Sequence, residues 1–211
     1  MILTGHEDLR VVKTIEGIKT AFEELICEKD YEKITVKELC DRARINKKTF
    51  YHYYETLDHL LAEMQGELSL GFIERIKNLK LPEELDKVNR EFFLYAAEQG
   101  LAYERITCGG SYQSIRDEMT SKVNDEGWSR SKKYQKLSDY EKRLLMDFVN
   151  NSVLTSYRQW VENGKKIPLD EVIELTNRIV LGGVKEFDTL GSGIGCELYS
   201  IPSGKIILAA F

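Results

Sequence analysis

The stretch NKKTFYHYYETLDHL, residues 46–60, gathers two lysines, two histidines and four aromatic side chains into one short run. Such a set could serve three chemistries. Histidines can hold a metal, a histidine beside a nucleophile can catalyse, and lysines with tyrosine hydroxyls can grip phosphate. His52 and His59 would share a face only if one helix carried both, and the turn expected near Glu55 and Thr56 puts them on different helices. No H-x-x-x-H pair or acid-plus-cysteine spacing completes a ligand set, so no metal site is assigned. The four cysteines, Cys27, Cys40, Cys108 and Cys196, include no C-x-x-C pair, which excludes a zinc ribbon and a thioredoxin-type motif. There is no G-x-S-x-G elbow and no P-loop. The many carboxylates fall at i, i+4 from Lys or Arg, the pattern of solvated helix faces. The expectation is a protein that is not an enzyme and holds no cofactor.

Phosphate binding accounts for more of the stretch. The 211-residue chain has a formal net charge of -5. Between Lys33 and Tyr54, however, Lys33, Lys37, Arg42, Arg44, Lys47 and Lys48 stand against Glu38 and Asp41, six bases against two acids for a local +4. One basic region on an acidic protein is the distribution of a molecule that meets phosphate with a single face. On a helix starting after Asn46, Phe50 and Tyr54 lie one turn apart, in line with Leu57 and Leu61, and are assigned to core. Lys47, Lys48, Thr49 and His52 fall mostly on the other side, where a recognition helix meets base edges and phosphates. Tyr51 and Tyr53 can reach phosphates with their hydroxyls while their rings pack. A solvated face without a partner is the plain alternative for any single lysine, but it does not explain the helix spacing and the local charge together.

The elements that must position these residues are read from apolar periodicity and caps. Val11, Val12, Ile15, Ile18, Phe22, Leu25 and Ile26 mark a first amphipathic helix over 9–28. Thr35 is the expected N-cap of a second, striped by Val36, Leu39, Cys40 and Ala43. Asn46 is the expected cap of a third, through Tyr54. Two short helices about three residues apart make a helix-turn-helix by spacing alone. A fourth helix is expected over 56–79, and Leu81-Pro82 is expected to stop it and open a fifth, which Gln99-Gly100 ends. Two shorter helices are expected around Tyr103 and Ile115, and KVNDEGWSRSKKYQK reads as a polar, mobile connection. Ser138 and Glu141 have capping-box spacing ahead of a long apolar helix closed by Asn163-Gly164, and Pro168 opens the last helix. The broad apolar faces of these two helices, with Gly182-Gly183, read as a homodimer interface, with ordinary core packing as the alternative. The interface candidates are Val153, Tyr157, Trp160, Ile173, Val180 and Gly183. From residue 188 the style changes. Gly191, Gly193 and Gly195 lack the strand, offset glycine and helix of a dinucleotide fingerprint, and the end reads as an extended hairpin that must be covered, disordered or foreign to the native chain.

The segment RVVKTIEGIKTAFEELICEKDYEKITVKELCDRARINKKTFYHYYETLDHLL resembles the DNA-binding domain of the TetR family of transcriptional regulators. The resemblance rests on the first-helix stripe, Tyr31, the Ile-Thr-Val opening of the second helix, the turn at Ala43, and Thr49-Phe50-Tyr51 with Tyr53-Tyr54. It implies an all-α fold, with a three-helix helix-turn-helix domain at residues 1–55, a larger helical effector-binding and dimerisation domain at 56–187, and a Gly-rich tail of uncertain status at 188–211. Carried over by position, it gives Thr49 and His52 base-facing roles with Lys47 and Lys48 beside them, while Thr35, Tyr51 and Tyr53 meet phosphate, and Asn46, the expected cap of the third helix, completes the expected DNA-binding set. Two positions depart from the family pattern. Arg44 stands where glycine is usual, and Leu57 stands where a lysine is usual.

The function expected is a DNA-binding regulator, a repressor, that holds a palindromic operator as a homodimer and is released by a small apolar or aromatic effector. Pocket candidates are Phe72, Phe92, Tyr95, Tyr103, Tyr112, Phe148 and Tyr157, each of which could equally be plain core. The alternatives are a ligand-independent regulator whose helical domain binds a protein partner, and an all-helical enzyme. No apolar run long enough to span a bilayer and no secretory signal is read, so the expected location is the cytoplasm, without a membrane partner.

Overall fold

The computed structural model describes residues 8–109 and 127–190, and the side chains of all of these except 186–190. Every regular element among the described residues is helical. Helix α1 spans Leu9–Glu28, starts on the Asp8 side chain, which accepts from Arg10 N at 2.8 Å, and buries Ile15, Ile18, Ala21, Phe22, Leu25 and Ile26. Helix α2, Val36–Ala43, opens on a full capping box. The Glu38 N–H donates to Thr35 Oγ1 at 3.3 Å, and the Glu38 carboxylate accepts from Thr35 N at 3.1 Å. It ends on Arg44 in the left-handed region, φ 56 and ψ 41, so an arginine adopts the conformation for which glycine is usual. The Ile45 N–H then donates back to Cys40 O at 3.0 Å and closes the turn. Helix α3, Lys47–Tyr53, follows at once.

Helix α4, Leu57–Ile76, is capped by the Thr56 side chain and runs about 30 Å at 1.5 Å per residue. It ends earlier than residue 79, and Pro82 lies in a turn ahead of α5, Leu85–Glu98, instead of in that helix's first turn. Helix α6, Leu101–Cys108, follows across Gly100, whose φ of 81 makes the corner. Residues 128–135 are not the polar, mobile connection that composition implied. A 3-10 turn, Trp128–Arg130, and the short helix α7, Lys132–Gln135, are rooted by Trp128, which is 3% exposed. Helix α8, Asp139–Glu162, opens on the expected Ser138 and Glu141 capping box, and α9, Leu169–Leu190, begins directly after Pro168.

Two apolar clusters hold the molecule. The first joins α1, α2, Phe50, Tyr54 and the start of α4 through Met64, and takes in Ile106 of α6. The second joins the end of α4 from Ile76 with α5, Tyr103, Trp128, α8 and α9. Helices α4 and α6 therefore belong to both. Arg105 of α6 adds a hydrogen bond to Ile26 O of α1 at 3.2 Å, while Glu104 forms an ion pair with Lys165 in the turn between α8 and α9.

The residues of the last two helices expected at an interface lie on the side that the chain itself covers. Val153, Tyr157, Trp160, Ile173 and Val180 are each 9% exposed or less and face the chain's own core, and Gly183 is packed against Phe148. The exposed apolar side chains of this pair are Tyr140 and Leu144 on α8, and Leu175 and Ile179 on α9, each pair one helical turn apart. Both faces are apolar, and periodicity does not say which one the rest of the chain covers.

Candidate nucleic-acid interface

Helix α3 is held from one side and open on the other. Phe50 and Tyr54 are 0% and 1% exposed, as their one-turn spacing required. The Tyr54 hydroxyl donates to Glu63 Oε1 of α4 at 3.0 Å, and Lys19 of α1 reaches the same carboxylate at 3.2 Å. Burial, with the Glu67 charge adding, pushes the Tyr54 hydroxyl up to about 12, so it stays a donor throughout the physiological range. Tyr31 donates to the Asp58 carboxylate, a second tie between the first helices and α4. Leu57, where a phosphate-binding lysine was expected, is partly buried against the same cluster and serves packing. His52 and His59 do lie on different helices, and His59 sets its ring edge against Tyr54 at 5.8 Å.

On the open side, Asn46, Lys48, Thr49, Tyr51, His52 and Tyr53 line one shallow depression. Lys47 is exposed but does not line it, and Tyr51 is 55% exposed. The rings are ordered by neighbours: Tyr51 sets its edge against Phe50 at 5.4 Å, and His52 against Tyr53 at 4.9 Å. Two of the expected DNA-facing groups are already engaged. Asn46 Oδ1 accepts from Thr49 N at 2.8 Å and from Thr49 Oγ1 at 3.1 Å, which fixes the first turn of α3. Thr35 Oγ1 donates to the Glu38 carboxylate at 3.0 Å. A phosphate oxygen accepts, so a hydroxyl contact by Thr35 would need the proton now given to Glu38 and would compete with that bond.

The local excess of positive charge is redistributed by the fold. Arg42 binds Glu28 at 2.8 Å and Glu24 at 3.2 Å, and its guanidinium, already a permanent cation, is pushed further up by those bonds. Lys33 pairs with Asp30 at 2.8 Å. Lys37, Arg44, Lys47 and Lys48 are exposed and pair with no carboxylate among the described residues. Lys37 and Arg44 were counted in that basic excess but were not assigned a DNA contact.

The aromatic residues expected to line an effector pocket are packed core in this state, apart from Tyr112, which lies outside the described residues. Phe72 meets Phe92 at 6.0 Å and Phe92 meets Tyr157 at 5.8 Å. The Tyr95 hydroxyl donates to Leu68 O at 2.8 Å and that of Tyr157 to Ala96 O at 3.3 Å. Tyr103 and Phe148 belong to or pack on the same cluster. Burial pushes the Tyr103 hydroxyl up to about 12 and that of Tyr157 higher. Among the described residues no three or more His, Cys, Asp or Glu side chains gather as a metal site would need, and no helix is long and apolar enough to cross a membrane.

A helix-turn-helix whose second helix exposes lysine, histidine and tyrosine, mounted on a larger all-helical body, is an arrangement that can present a recognition helix to DNA. Residues 18–64 match the sequence model described as "Bacterial regulatory proteins, tetR family". The chain is 32% identical over 96 residues to the uncharacterized HTH-type transcriptional regulator YxbF of Bacillus subtilis (strain 168), a match that covers 45% of this chain and 23% of that relative's length. Among solved structures it is similar to the fatty acid degradation regulator FadR from Bacillus halodurans, with a TM-score of 0.60 and 18% identity over 82% of this chain and 96% of that one. It is similar also to the transcriptional regulator FadR from Bacillus subtilis in complex with stearoyl-CoA, with a TM-score of 0.59 and 19% identity over 83% and 98%. At these identities the structural likeness is one of fold.

Proposed function

We propose that this chain is a TetR-family regulator, a repressor that binds a palindromic operator as a homodimer and lets go when an effector with a substantial apolar part enters the helical domain. The observation that carries the reading is the division of α3 into a buried anchor, Phe50 and Tyr54, and an open face of Lys48, Thr49, Tyr51, His52 and Tyr53. Lys47 and Lys48 supply phosphate attraction, and Thr49 and His52 supply hydrogen bonds to base edges. The exposed Tyr140 and Leu144 on α8 and Leu175 and Ile179 on α9 are the apolar groups offered to a second copy, since exposed apolar side chains on two long helices suit a two-fold, four-helix contact. Two copies would set their recognition helices roughly 34–36 Å apart, one turn of DNA. An effector acts by binding more tightly to the state with wrongly spaced recognition helices, which draws the population away from DNA. The stearoyl-CoA held by one solved neighbour supports an effector with a long apolar part.

The test is fluorescence anisotropy on DNA from the chain's own upstream region, with sedimentation to follow association. Lys48→Ala with His52→Ala should remove specific binding while the dimer persists, and Leu175→Glu with Ile179→Glu should give monomers that bind operator weakly. Undiminished specific binding by the first variant would overturn the assignment of the α3 face. A thermal-shift screen then separates an effector-driven regulator from one that answers to a protein partner, because a ligand of the folded state raises the melting temperature by mass action.

A further inference from the structure

Among the described residues, two that are not glycine adopt a left-handed backbone, Arg44 at φ 56 and Lys165 at φ 58. A side chain in that region costs stability that glycine would not, and it persists where another interaction offsets the cost. For Lys165 the offset lies inside the molecule. Its ammonium forms an ion pair with the buried Glu104 of α6 and stands 5.4 Å over the Trp160 ring, so the turn between α8 and α9 is held by its own side chain.

Arg44 has no such return within the described chain. Its guanidinium is exposed and pairs with no carboxylate there, Asp41 three residues before it included. Only its backbone is engaged, through the N–H that donates to Asp41 O at 3.4 Å and to Cys40 O. The neighbouring cations are settled otherwise. Arg42, two residues earlier, binds Glu24 and Glu28 of α1, and Lys29 takes Glu38 at 2.6 Å. A strained arginine that gains nothing inside the fold points to a gain outside it.

The place of Arg44 says what that gain is. It stands two residues ahead of Asn46, which caps α3 and lines the open depression with Lys48, Thr49, Tyr51, His52 and Tyr53. Two residues of chain span at most about 7 Å, so Arg44 flanks the N-terminal end of α3, where a recognition helix enters the major groove between two phosphate strands. A planar fork of N–H donors suits a phosphate oxygen pair.

We propose that Arg44 is a phosphate clamp, an arginine held in a strained turn so that its guanidinium binds the DNA backbone beside the entry of α3. It rests on the reading of α3 as the DNA-recognition helix and adds a contact outside that helix. The left-handed backbone is thus exchanged for affinity, and stability and DNA binding should move in opposite directions when the side chain is removed.

The test follows binding of the full chain by fluorescence anisotropy to two duplexes of equal length, one from its own upstream region and one of unrelated sequence, between about 50 mM and about 200 mM NaCl. Arg44→Gly suits the left-handed backbone, so its melting temperature should not fall below that of the wild type. It should nevertheless bind both duplexes roughly tenfold more weakly at low salt, by the same factor, because a phosphate carries no sequence. The slope of log affinity on log salt should fall by roughly 1 for each phosphate released. Arg44→Lys keeps the charge without the fork and should recover the slope and part of the affinity. Arg42→Gln removes a cation already committed to α1 and should leave the slope at the wild-type value. Unchanged affinity and slope in a folded Arg44→Gly overturn the proposal. So does a loss confined to the upstream duplex at an unchanged slope, which would make Arg44 a base contact. An equal fall in slope for Arg42→Gln overturns it as a diffuse effect of charge, and a loss in both Arg44 variants at unchanged slope overturns it in favour of a turn that only positions α3. The recognition-helix reading fails separately, if Lys48→Ala with His52→Ala binds the upstream duplex as the wild type does. Both fall together if the wild type binds neither duplex.

Discussion

Adjacent glycines near the end of α9 offer a measurement of how tightly the last two helices are packed. A Cβ built on Gly183 would stand 2.5 Å from Phe148 Cε1 and closer still to Cζ, inside any distance that real Cβ atoms adopt. A Cβ on Gly182 would meet nothing within 4 Å. Each Gly→Ala change gains about 1 kcal/mol of helix propensity, so the gain cancels between the two variants and their difference reports the clash. Forcing a methyl group into a packed site costs about 1–3 kcal/mol. For a protein of this length, Gly183→Ala should then melt roughly 2–12 °C below Gly182→Ala. Thermal unfolding followed by circular dichroism, at one fixed protein concentration because association shifts the midpoint, reads the difference. Combining Gly183→Ala with Phe148→Leu should recover part of the loss, with a coupling energy of about 0.5–3 kcal/mol in the double-mutant cycle. If Gly183→Ala melts with or above Gly182→Ala, or if the two losses simply add, the helices do not meet as described.

Three further expectations follow from single sites. Both amide atoms of Gln65 are buried on α4 without a hydrogen-bond partner, so Gln65→Leu should raise stability by about 1–3 kcal/mol, and a fall in the denaturation midpoint would refute the orphaned amide. Arg44 pays for its left-handed backbone with strain, so Arg44→Gly should be as stable as the wild type or up to about 1 kcal/mol more stable, whereas a loss would show that the side chain holds the turn. The Lys29 ammonium, with the Thr35 hydroxyl and N–H, holds the Glu38 carboxyl below its ordinary 4.5, and Ser138 does the same for Glu141. A depressed carboxyl contributes stability that is complete above the unfolded value and is lost as pH falls through the lower folded value. Melting temperature should therefore drop as pH is lowered from about 6 to about 3, less steeply in Glu38→Ala with Glu141→Ala, and equal slopes in variant and wild type would count against both caps.

Much of the helix-turn-helix was legible in the residues because it rests on short-range information. Thr35, Asn46, Thr56 and Ser138 each cap a helix through a backbone N–H three residues on, a bond that adjacent sequence alone can specify. The burial of Phe50 and Tyr54 followed from one helical turn of spacing, and the exposure of Lys48 and His52 from the opposite phase.

Other features depended on segments far apart in the chain. Arg42 spends its charge on Glu24 and Glu28 of α1, so a basic residue counted toward DNA is removed from it. Trp128 sinks into the core from a stretch whose neighbours are charged, because one large apolar ring outweighs the composition around it. The two-sided apolar character of α8 and α9 was plain from periodicity. Which side closes on the chain itself, taking Tyr157, Ile173 and Val180, and which is left with Tyr140, Leu144, Leu175 and Ile179, was decided only when α4, α5 and α6 packed against one of them. Helical phase assigns residues to faces, but only tertiary contact decides what each face meets.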